Sequence, residues 1–118
     1  VNLSDYERAI TEYRKYVADY PSASLVPGAQ YRIAEIYQNE LLNYEQAIIE
    51  YRYFLDTFPL DSRAPLAQFY IAYIYDRELG NYHQAAVEYL SFLRLFPDHS
   101  LADNARRRYD ELCSEGYC

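Results

Sequence analysis

The chain repeats itself every 38 residues, and that period restricts its fold more than any other feature. Tyr6, Tyr44 and Tyr82 fall into register. So do Ala9, Ala47 and Ala85; Glu12, Glu50 and Glu88; Tyr13, Tyr51 and Tyr89; Pro21, Pro59 and Pro97; and Ser24, Ser62 and Ser100. Self-similarity at a fixed period of about 20–50 residues marks an array of identical supersecondary units. Such a unit cannot bury its apolar face alone, so neighbours must stack.

Within each period the apolar residues recur at helical spacing. Tyr6, Ala9, Ile10, Tyr13, Tyr16, Val17 and Tyr20 step by three and four, which lays one stripe along a helix over 3–20. Ser4 or Asp5 can cap its start and Pro21 stops it. The segment from Ser22 to Gly28 reads as a connector, and a second helix starts near Ala29. Asn43 caps a third, which repeats the first through Ala47, Ile48, Tyr51 and Phe54 up to Pro59. A fourth starts near Ala64, Gly80 and Asn81 make a turn, a fifth runs to Phe96, and a polar sixth covers 101–115. The connector serines Ser22, Ser24, Ser62 and Ser100 read as helix caps. The expectation is one all-α domain over 1–118: a helix at 3–20, helix pairs at 29–58 and 64–96, and a capping helix at 101–115. It begins on the second helix of a pair, which leaves an apolar flank on helix 3–20 unless an upstream segment or a second molecule covers it.

The small residues have a packing role. Ala34, Ala47, Ala72 and Ala85 let helix axes approach, and Tyr51 and Tyr89 fill the space beside them. Ile33, Ala34 and Tyr37 followed by Ala47, Tyr51 and Pro59, then Ile71, Ala72 and Tyr75 followed by Ala85, Tyr89 and Pro97, resemble the tetratricopeptide repeat. Ala9, Tyr13 and Pro21 are the same anchors in the first, incomplete unit. The resemblance implies a right-handed α-solenoid of six antiparallel helices. The unit is four residues longer than the usual 34. Its form after the proline, in PLDSRAPLA and PDHSLADNA, is similar to that of periplasmic members of Gram-negative bacteria. Examples are the Tol-Pal-associated coordinator of cell division and the lipoprotein of the outer-membrane β-barrel assembly machinery. Periplasmic or envelope association is the implied localisation, with the cytoplasm as the alternative.

By the same resemblance, the first helix of each pair lines a concave groove that takes a peptide or helix of a partner protein. Helical phase puts Arg32 and Glu35 there, then Tyr70, Tyr73 and Arg77, then Arg108. Tyr31, Phe69 and Arg107 form a neighbouring column, although Tyr31 and Phe69 also suit packing between repeats. Tyrosine and arginine dominate binding hot spots because each joins apolar area to a polar tip. The run Arg106–Arg108 reads either as a solvated face or as a dock for an acidic group.

The remaining chemistry is sparse. A net charge of −7 opposes general nucleic-acid binding. No apolar run approaches the ~20 residues that cross a bilayer. His83 and His99 fall at turns and read as solvated. There is no phosphate loop and no nucleophile–base set, so neither an enzyme nor a cofactor is expected. Cys113 and Cys118 read as two free thiols or, in an oxidising compartment, as one disulfide; without histidine nearby they do not make a metal site. The chain opens at Val1 and holds no methionine, which suggests a processed or excised piece. The leading function is a protein–protein interaction scaffold. The alternative is a spacer or self-assembly segment, with a homo-oligomer formed through the open face of helix 3–20.

Overall fold

A computed structural model describes residues 2–118; Val1, where the expected domain begins, lies outside them. The described residues form six helices and no strand. They gather into two compact units, one ending at Asp61 and the other covering Ser62–Cys118.

The first unit holds α1 (Leu3–Asp19), α2 (Val26–Asn39) and α3 (Tyr44–Thr57). α1 starts one residue before Ser4, because Asn2 takes the cap: its side chain accepts from the Asp5 amide at 3.1 Å. α2 starts three residues earlier than expected. Pro27 lies in its first turn, where a missing N–H costs nothing, so proline and Gly28 belong to the helix and not to the connector. Asn43 caps α3 as expected, accepting from the Gln46 amide at 3.2 Å.

The second unit repeats this pattern. α4 (Ala64–Tyr73) again has proline in its first turn. Its last turn, Ile74–Glu78, widens so that the Leu79 amide donates to the Ile74 carbonyl five residues back, at 2.9 Å. α5 (Tyr82–Leu95) is capped by Asn81, and α6 (Ala102–Ser114) follows. The residues before α2, α4 and α6 are Leu25, Arg63 and Leu101, and none caps with its side chain. The connector serines are therefore not the caps they resemble. Before α6 that task falls to His99, whose Nδ1 accepts from the Leu101 amide at 3.0 Å while its ring packs on Phe92. His99 is a half-buried structural group rather than a solvated one.

Each unit has its own core. Ile10, Ile33 and Ile36 join α1 to α2, and Ala47, Tyr51 and Phe54 of α3 are fully buried. In the second unit Ala72, Ala85, Tyr89 and Phe92 take the matching roles, and α6 lays Ala102, Ala105 and Leu112 onto α5. A disulfide joins Cys113 to Cys118. It draws the tail round so that Tyr117 packs on Tyr82 and His83, with its carbonyl 3.1 Å from His83 Nδ1.

Candidate functional site

Three buried carboxylates organise the polar interior, Glu50 in the first unit and Glu88 and Asp76 in the second. Glu50 sits on α3 and is 5% exposed. Arg14 of α1 reaches it at 2.9 Å, Gln30 of α2 at 2.9 Å and Gln46 at 2.7 Å. Burial alone would raise the Glu50 carboxyl; these donors outweigh it and hold the group below its usual range. Glu88, its counterpart on α5, accepts from Gln68 at 3.0 Å and Gln84 at 2.8 Å. These bonds tie helices together, and the side chains are enclosed. Glu50 and Glu88 are structural, whereas Glu12, at the same register, is exposed.

Asp76 is the second centre. It lies in the widened turn after α4 and is 3% exposed. Arg108 of α6 donates to it through Nε and Nη2, both at 2.8 Å, and the Tyr89 hydroxyl donates at 3.0 Å. Burial would raise this carboxyl too, but Arg108 and Tyr89 hold it below the carboxylate range. Burial and the Asp76 charge push the Tyr89 hydroxyl up. In the first unit the matching pair is neutral, the Tyr51 hydroxyl donating to Gln38.

Beside this centre opens a pocket of about 320 Å³ in the second unit. Phe69, Tyr73 and Tyr89 give it aromatic walls, and Arg77, Arg107 and Arg108 give it cations. The cations are not equivalent. Arg108 is bound to Asp76 and, at 3.0 Å, to Glu111. Arg77 is more than half exposed and only 3.6 Å from Asp76. Arg107 is exposed and has no carboxylate partner among the described residues. Two guanidinium groups thus stand at the rim with most of their donors free for a ligand.

The pocket brings together Phe69, Tyr73, Arg77, Arg107 and Arg108 from the residues that helical phase assigned to a groove. Tyr70 is half-buried against Phe69, 6.5 Å between rings, and does not line it. The other three lie in the first unit. Tyr31 is buried, edge-on to Tyr51 and Phe54 at 5.6 and 5.3 Å. Arg32 and Glu35 are half-buried and face each other at 3.9 Å. Asp76 was invisible in the sequence as a site residue, because its partner Arg108 is 32 residues away and the first repeat has no such pair. Gln30 and Gln68 carried a signal: they share the 38-residue register of the glutamates they serve.

The model of the tetratricopeptide repeat matches residues 28–61 and again 66–99, more than half of the chain. The chain belongs to the tetratricopeptide repeat family. Repeats of this family mediate protein–protein interactions, and among the described residues no helix is long and apolar enough to cross a membrane. No curated protein matches the chain significantly. The match is to the repeat itself and does not separate periplasmic tetratricopeptide proteins from the rest.

Proposed function

We propose that the protein is a non-enzymatic interaction scaffold whose second unit holds an acidic segment of a partner protein. One observation carries this reading: two arginines with uncommitted donors, Arg77 and Arg107, rim an aromatic pocket on a chain of net charge −7. Phe69 and Tyr73 offer apolar area to an aromatic or aliphatic side chain. The guanidinium forks offer paired donors to its flanking carboxylates. Such a pocket favours a peptide or helix with one large apolar residue next to aspartate or glutamate.

A bacterial envelope complex is the setting we propose. The Cys113–Cys118 disulfide supports it, since disulfides persist in oxidising compartments such as the periplasm. Affinity capture from an envelope extract tests both statements. The wild type is run beside a Tyr73→Ala, Arg77→Glu double variant, with circular dichroism showing that both fold. A partner retained by the wild type and lost by the variant is the expected result. The same proteins retained by both would remove the pocket from the interaction.

A further inference from the structure

The chain after α6 folds back as a clasp. Gly116 turns it at a φ of 94°, and the Tyr117 amide donates to the Leu112 carbonyl at 2.9 Å. The Tyr117 ring packs on the core of the second unit, 5.1 Å from the rings of both Tyr82 and His83 on α5. The Cys113–Cys118 bond closes across this turn. The end of α6 has few other anchors. Its second half buries Leu112 alone, with Tyr109 half-buried against the same core. Its remaining hold there is the Arg108–Asp76 pair.

The clasp adjoins the arginine pocket, because Cys113 shares the last turn of α6 with Glu111, which lines that pocket. Asp76 has two cations within reach. Arg108 holds it with two bonds of 2.8 Å, and Arg77 lies 3.6 Å away. An enclosed carboxylate is costly without a cation. While α6 is seated, Arg108 meets that need and Arg77 stays available at the rim. When the end of α6 lifts, Arg108 leaves with it and Arg77 is the cation at hand. The rim then loses one of its two free guanidinium groups.

We propose that the Cys113–Cys118 disulfide is a redox switch for the arginine pocket. Oxidised, the clasp seats α6 and leaves Arg77 free to grip a ligand carboxylate. Reduced, the tail is released and Asp76 passes from Arg108 to Arg77. The reductant is a dithiol. Its thiolate attacks the sulfur of Cys118, the exposed partner; the S–S bond breaks, and the Cys113 thiolate leaves and takes up a proton. The second thiol then attacks the mixed disulfide and frees Cys118 as a thiol. Two electrons enter the protein, and the dithiol departs as its own disulfide. The inference rests on the acidic-segment reading of this pocket.

The probe is the peptide acetyl-Glu-Asp-Trp-Glu-amide, titrated by NMR into the oxidised protein and into the same protein with dithiothreitol. A Cys113→Ser, Cys118→Ser double variant is run without reductant, and circular dichroism shows that each form keeps its helices. Reduction should weaken binding about fivefold, the loss of one charge-assisted contact. The serine variant should bind like the reduced protein. In the free protein, reduction should move the Tyr117 amide and the Arg77 and Arg108 side-chain signals. In Asp76→Asn no carboxylate claims Arg77, so affinity should hardly depend on redox state. Binding that is equal in the oxidised and reduced protein overturns the switch and leaves the pocket reading intact. Redox dependence undiminished in Asp76→Asn overturns the exchange of partners. A peptide that binds neither form removes the acidic-segment reading, and the switch with it.

Discussion

Arg108 grips Asp76 with two hydrogen bonds of 2.8 Å, and this pair fastens α6 to the end of α4 across α5. The pair is repeat-specific, since the first unit has Gln38 at the place of Asp76. It also positions the pocket, because Arg77 follows Asp76 and Arg107 precedes Arg108. Arg108→Ala leaves the buried Asp76 carboxylate without its cation. We expect a loss of about 3 kcal/mol in urea unfolding, since removing one partner of an enclosed pair strands the other.

The same pair sets the acid limit of stability. The folded-state pKa of Asp76 lies below its ordinary value of 3.8, and that of Glu50 below 4.5. Depressed carboxylates contribute stability above their unfolded pKa and lose it as pH falls through the folded one. Thermal unfolding should therefore change little in this contribution above about pH 5 and fall steadily below about pH 4. In Asp76→Asn the fall over that acid range should be shallower, starting from a lower plateau.

Tyr51 is fully buried at the centre of the first unit. Tyr51→Ala should cost about 3–5 kcal/mol, as large aromatic truncations in cores do. Tyr13 holds the same register on the open face of α1 and is half-buried, so Tyr13→Ala should cost clearly less. Equal losses in a denaturant titration would mean that the two faces are equally covered.

Leu42 and Gly80 occupy the same turn of successive repeats, with φ of 53° and 62°. A side chain at positive φ costs about 1–2 kcal/mol that glycine does not incur. Leu42 is exposed, so its replacement sacrifices little burial. Leu42→Gly should stabilise the protein by about 1 kcal/mol, and Gly80→Ala should destabilise it by a similar amount. Chemical unfolding of the two variants checks both signs.

Much of the fold was legible because the repeat writes each element more than once. The 38-residue register placed the packing residues Ala47, Tyr51, Ala85 and Tyr89, and the cap Asn43, while Asn81, read as part of a turn, proved to be the matching cap. The misplaced boundaries came from residues with two uses. Pro27 breaks a helix in its interior but opens one in its first turn, and only the folded backbone decides which applies. The serine of each connector resembles a cap, yet the chain turns into the helix through backbone bonds such as Val26 N–H to the Ala23 carbonyl. The candidate site was half legible. Helical phase found Tyr73, Arg77 and Arg107, but it could not show that Arg108 is spent on Asp76, because that bond depends on how α6 folds back.

Selection from a random peptide library by the wild type and by an Arg77→Glu, Arg107→Glu double variant tests the scaffold reading most directly. The wild type should enrich sequences with a large apolar residue beside aspartate or glutamate, and the variant should lose them. Enrichment of the same peptides by both proteins, or of basic peptides by the wild type, would contradict it.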